Sequence, residues 1–107
     1  MKPTIFTDLA EQIDVPDDST ISKTIYQDGG LKVVFFGFAP GQELSEHTAA
    51  VPAIVHFVEG EARVTLAGEV VDAQPNSWIH MPARMPHSIL AKTQVKMLLL
   101  LLKEATA

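Results

Sequence analysis

Four histidines, His47, His56, His80 and His87, are the side chains of this sequence best suited to chemistry. Imidazole can ligate a metal, exchange protons near neutral pH, or anchor a ligand by hydrogen bonding. The chain has no cysteine, which excludes a disulfide, a thiolate centre and a Cys-bound zinc. Glu43, Glu46, Glu59 and Glu61 are the nearby carboxylates. Glu46 adjoins His47 and points the opposite way on a regular strand, while Glu59 and Glu61 flank Gly60. All are expected to be solvated, and none is assigned general-base work. There is no Ser-His-Asp order, glycine-rich phosphate loop or Walker pattern, so nucleophilic and nucleotide chemistry lack support.

The elements that must position these histidines are short and punctuated by turns. Met1–Thr7 reads as an arm. Asp8–Ile13 can form one or two helical turns, with Asp8 as N-cap and Glu11 completing a capping box. The turn-rich Val15–Ser19 ends it. Strands are expected over Thr20–Gln27, Leu31–Phe38, Gln42–Thr48, Ala53–Val58, Ala62–Leu66, Glu69–Ala73, Ser77–Met81, His87–Ala91 and Val95–Lys103. Asp28-Gly29-Gly30, Pro40-Gly41, Glu59-Gly60, Ala67-Gly68 and Pro75-Asn76 supply turns between them, and Pro82–Pro86 a loop. Leucine favours helix over strand, so propensity alone would make Val95–Lys103 helical. The run is short and follows an unbroken series of strands, so it is read as the last of them. Turns every eight to twelve residues or so are the pattern of a sandwich or barrel.

Two stretches resemble the two sequence motifs of the cupin superfamily. The first family motif is G-x5-H-x-H-x3/4-E-x6-G, and Gly41, His47 and Gly60 match its spacing. Ala49 stands where the second histidine would be, and Ala53 where the glutamate would be. The second motif is G-x5-P-x-G-x2-H-x3-N. Asn76 takes its first glycine position, Pro82 and His87 match, Arg84 replaces the second glycine and Ala91 the final asparagine. The resemblance covers about Thr20–Lys103. It implies an all-β fold, a double-stranded β-helix or jelly-roll barrel, with residues 1–107 forming a single domain made of an arm (1–19) and a barrel (20–103).

In that family one metal ion is held by two histidines, a glutamate or glutamine, and the second-motif histidine. This chain keeps the first and last of these, His47 and His87, so the resemblance implies that they converge inside the barrel. Two imidazoles are fewer than the three protein ligands usual in a catalytic centre. If the even positions of Ser77–Met81 face inward, Trp78 and His80 line the cavity, and His80 becomes a third nitrogen for one divalent metal ion. His56 is out of phase with Ala53, Val55 and Phe57 and is expected to face away. Val55, Phe57, Trp78, Met81 and Met97 are expected to line an apolar ligand pocket.

Three functions follow: a small-molecule-binding cupin with an incomplete metal site; a metal-dependent dioxygenase, isomerase or lyase using His47, His80 and His87; or a structural or partner-binding barrel. The net charge of -5, with scattered basic residues, argues against nucleic acid. The N-terminal stretch has no apolar signal region, and Met97–Leu102 is too short to span a bilayer. A cytoplasmic protein without membrane association is expected. Leu31–Phe38 and Met97–Leu102 are apolar on both faces, so two outward rows of large side chains need cover. A homodimer is therefore expected as well.

Overall fold

The computed structural model describes residues 1–103. Period-two alternation is the physical signal that builds it. In β4 (Ala53–Glu59), Ala53, Val55 and Phe57 are buried while Ile54, His56 and Val58 are only partly so. The other strands are β1 (Thr20–Gln27), β2 (Leu31–Phe38), β3 (Glu43–His47), β5 (Ala62–Leu66), β6 (Glu69–Ala73), β7 (Trp78–Met81), β8 (His87–Ala91) and β9 (Val95–Leu102). They form a five-stranded sheet in the order β1-β2-β9-β4-β7 and a four-stranded sheet in the order β3-β8-β5-β6. Each pairing is antiparallel. The chain is thus all-β, and its strands switch between two facing sheets as in a jelly roll.

The inner faces of the two sheets share one core. Phe38, Val55, Phe57, Met81, Val95 and Met97 come from the five-stranded sheet, and Ala62, Val64, Ile89 and Ala91 from the four-stranded one. The five-stranded sheet supplies most of the large side chains and the four-stranded sheet three alanines, Ala62, Ala73 and Ala91. Phe36 and Phe38 stack with ring centroids 5.9 Å apart.

The leucine-rich run is a strand, against its helix propensity. It lies between β2 and β4 and is laddered on both sides over nearly its whole length. That tertiary pairing outweighs a few tenths of a kcal/mol per residue of intrinsic preference. Its alternate side chains divide between two compartments. Met97, Leu99 and Leu101 face the barrel core, while Leu98 and Leu100 join Val33 and Phe35 on the outer face.

The N-terminal arm covers part of that outer row. Leu9–Gln12 form a short 3₁₀ turn, and Ile13 is buried against Val33, Phe35 and Leu98. Gly37 makes the seat: a Cβ there would lie 2.7 Å from Val15 Cγ2. The Lys96 ammonium ties the arm down by donating to the Ala10 carbonyl at 2.6 Å. The capping box is not formed. Asp8 occupies the N-cap but makes no side-chain capping bond, because four residues of 3₁₀ turn held by packing replace the expected helix. A bulge at Ile25, between the Thr24 and Tyr26 pairs, places Ile25 and Tyr26 together beside the same cluster. Among the described residues no helix is long and apolar enough to cross a membrane.

Candidate functional site at the barrel rim

A bulge delivers the first histidine. Along β3 and β8 the partners run Glu43 with Leu90, Leu44 with Ile89, and then His47 with His87, with the register broken between Leu44 and His47. From Leu44 to His47 is an odd number of steps, so a regular strand with Leu44 inward would turn His47 outward. The extra residue on β3 restores the inward direction. His87 needs no such device, since it alternates inward with Ile89 and Ala91. The two rings meet with centroids 4.2 Å apart and planes tilted by 58°. His87 is buried at 4 % exposure, whereas His47 is open to solvent.

Backbone carbonyls orient both rings. The Nδ1 of His47 lies 2.8 Å from the Ser45 carbonyl, and that of His87 lies 2.9 Å from the Met85 carbonyl. A carbonyl can only accept, so in each ring Nδ1 carries a proton and donates it. In its neutral form such a ring keeps its lone pair on Nε2, across the ring from the carbonyl. This is the arrangement by which an outer carbonyl fixes a histidine for ligation or for accepting a hydrogen bond.

The rest of a metal site is not assembled. Ala49 and Ala53 offer no donor, and among the described residues no group of three His, Asp or Glu side chains is placed to hold a metal ion. His80 does not join the pair. On β7 it is Met81 that enters the core, at 2 % exposure, and strand alternation then sends His80 and Trp78 outward. Their cross-strand partners agree: His80 pairs with Ile54 and Trp78 with His56, the outward-facing residues of β4. The expected parity of β7 is therefore reversed: His47 and His87 face inward from the four-stranded sheet, while His80 points outward from the five-stranded one. Two imidazoles do not fit the metal centre implied by the sequence motifs. His56 faces away from the barrel interior, as its phase requires.

The expected pocket lining is also revised. Val55, Phe57, Met81 and Met97 face the interior, each at 2 % exposure or less, as part of the continuous core. Trp78 does not line it, being 60 % exposed on the outer face. A cavity of about 480 Å³ lies outside the barrel, between the arm (Lys2, Pro3, Phe6) and the outer row (Leu31, Val33, Leu98, Leu100). Sequence reasoning missed it. Its signal was the second apolar row of β2 and β9, which marks a covered surface without saying how closely the cover fits.

Two backbone hydrogen bonds tie neighbouring loops to the histidine segments. The Arg84 N–H donates to the Ala49 carbonyl at 2.7 Å, joining the Pro82–Pro86 loop to the segment just after His47. The Ala67 N–H donates to the Pro86 carbonyl at 2.8 Å, beside His87. Arg84 has φ 66°, and Asn76 has φ 74°. These are the two non-glycine residues at glycine positions of the second motif. Asparagine tolerates the left-handed region comparatively well, but for arginine it costs about 1–2 kcal/mol. The Arg84 side chain is exposed, and among the described residues it has no salt bridge or side-chain hydrogen bond.

Comparisons with known proteins bear on the same region. The family model described as the cupin domain matches residues 34–102. No curated protein is similar enough to match the chain. A cupin superfamily protein from Desulfitobacterium hafniense is 27% identical with a TM-score of 0.85, covering 90% of this chain and 88% of that one. A conserved protein of unknown function from Streptococcus pyogenes is also 27% identical, with a TM-score of 0.86 and coverage of 99% and 93%. Salicylate 1,2-dioxygenase from Pseudoaminobacter salicylatoxidans, in complex with gentisate, superposes with a TM-score of 0.74 at 17% identity. The match covers 86% of this chain but 27% of the dioxygenase, and at that identity it speaks for the fold alone.

Proposed function

The chain belongs to the cupin domain family, and on that premise we propose that it is a small-molecule-binding cupin whose ligand is anchored by His47 and His87. The observation that carries this reading is the paired rings at the barrel rim, 4.2 Å apart, each with Nδ1 spent on a carbonyl. Two preoriented Nε2 atoms can accept hydrogen bonds from one ligand, and the alanines at 49 and 53 add no side-chain donor or charge beside them. Apolar neighbours such as Leu44, Leu66 and Met85, which pack on the core, favour an apolar or aromatic ligand body. With Ala49 and Ala53 in place of family ligands, any divalent ion would be held by two protein donors.

The filled barrel is the competing reading, and the burial of Val55, Phe57, Met81 and Met97 favours it for the deep interior. A fragment screen followed through the histidine imidazole resonances separates the two. Aromatic fragments are expected to shift His47 and His87 together, and His87→Ala is expected to abolish the shifts. Fragments that shift only residues of the arm cavity, or none at all, would sink the rim site. A zinc titration adds a second check. Weak binding that is lost with His47→Ala and unchanged in His80→Ala is expected. Tight binding that requires His80 would restore the metalloenzyme reading.

A further inference from the structure

Resting on the rim site just proposed, we infer that Arg84 makes that site selective for carboxylate ligands. The first observation is conformational. Arg84 holds φ 66°, at a point where glycine would be unstrained. The other non-glycine residues with positive φ are Asp18, Ala67 and Asn76. Two of these are Asx residues, which populate this region more readily, and Ala67 sits in the two-residue turn between β5 and β6. Arg84 alone carries a long charged side chain on a strained backbone. Strain kept at one loop position is the kind of outlier from which a functional role is argued.

The second observation is placement. Arg84 is three residues before His87, and its N–H is bonded to Ala49, two residues after His47. The residue therefore sits where the two histidine-bearing segments are joined. The third is electrostatic. Its guanidinium is exposed, and among the described residues no carboxylate pairs with it. The acid nearest to His47 in sequence, Glu46, is exposed and makes no ion pair with it. A guanidinium carried on the loop that joins the two histidine segments offers a carboxylate the planar donor fork it fits best, often bidentately. The ligand class is then a small apolar or aromatic carboxylate that also carries a hydroxyl, its charged end at Arg84 and its O–H donating to an imidazole Nε2.

4-Hydroxybenzoate (the benzoate below) and its neutral isostere 4-hydroxybenzamide (the benzamide), which share a hydroxyl donor for the imidazoles, are the probes, titrated into the wild type, Arg84→Lys and Arg84→Gly with calorimetry and histidine NMR. The wild type is expected to bind benzoate roughly tenfold or more tighter than benzamide, as one charge-assisted contact allows. Arg84→Gly should lose that preference, and Arg84→Lys should keep part of it. Because glycine relieves the backbone, Arg84→Gly is expected to melt higher by a few degrees, roughly 4–8 °C per kcal/mol relieved. A residue serving only the loop's structure would behave oppositely, with a lower melting point and both probes weakened alike, and that result would overturn the proposal. So would an Arg84→Gly variant that still prefers benzoate, or a wild type that binds benzoate no better than benzamide or binds neither. Failure of the rim site itself reads differently: binding would then leave the His47 and His87 resonances unmoved in every variant.

Discussion

Gly60→Ala tests how the turn after β4 is locked against the loop before β9. The position has φ +88°, and a Cβ built there would lie 1.9 Å from the Gln94 carbonyl oxygen, 2.9 Å from its carbon and 3.0 Å from Thr93 Oγ1. Ordinary contact begins near 3.4 Å, so the Gln94 backbone must retreat by more than an ångström. That backbone is not free to do so. Thr93 Oγ1 accepts the Glu61 N–H at 3.0 Å, and the Glu61 carbonyl accepts from Lys92 and Thr93 at 2.9 and 3.3 Å. Loosening two or three such bonds costs about 1 kcal/mol each, and left-handed alanine adds about 1–2 kcal/mol. The expected loss is about 3–5 kcal/mol. Gly68→Ala is the control. Its φ is +86°, yet a Cβ there would meet nothing within 4 Å, so strain alone applies. Its expected loss is about 1–2 kcal/mol. Urea unfolding of both variants at one protein concentration, with equal slopes, gives the comparison. Equal losses would refute the clash argument, because backbone conformation would then explain both.

Two further outcomes are expected. Asp28 accepts hydrogen bonds from the Tyr26 hydroxyl and from the Gly30 and Leu31 N–H groups. The Tyr26 bond, followed by the backbone donors, holds its carboxyl below the ordinary range. Because its folded value is depressed, its stabilising contribution is present above about pH 4 and is lost as pH falls through the folded value. Asp28→Asn should flatten the stability–pH profile in that acidic window, and an unchanged acid limb would dismiss Asp28 from it. Second, we propose a homodimer through the outer face of the five-stranded sheet, where Trp78 is 60 % exposed and the arm leaves Ile5 71 % exposed. Sedimentation equilibrium at low micromolar concentration should give twice the 11.6 kDa chain mass, whereas a clean monomer would show that the arm is cover enough.

The fold was legible because turn residues and alternation agree over most of the chain. All nine expected strands form, five of them with the expected bounds, and β9 is the instructive one: its context in a run of short strands outweighed six helix-favouring residues, Met97 and Leu98–Leu102, only because pairing on both sides was available. The site was half legible. His47 and His87 keep spacings that place them on adjacent strands, and they meet. The bulge that turns His47 inward leaves no mark of its own in the Leu44–His47 sequence. β7 failed for a related reason. Its four residues hold an apolar side chain in each register, Trp78 or Ile79 and Met81, and alternation alone cannot say which set the core will take. Arg84 was visible as a replaced glycine, but the cost of that replacement appears only when its backbone angle is known.

The position of β9 has a consequence for the order in which this protein can form. The strand nearest the C-terminal end of the barrel lies in the middle of the five-stranded sheet, with β1-β2 on one side and β4-β7 on the other. Those two halves share no ladder of their own. Each can form a hairpin or a loose pair, but neither can be joined to the other until Val95–Leu102 is available to insert between them. Assembly must therefore wait for a contact between distant parts of the chain, a requirement associated with slow folding. Until it is met, β2 and β4 each present an apolar, unladdered edge, the kind of surface that recruits other chains. A ribosome-bound chain from which Val95–Leu102 has not yet emerged is the state of this barrel with most to gain from a chaperone.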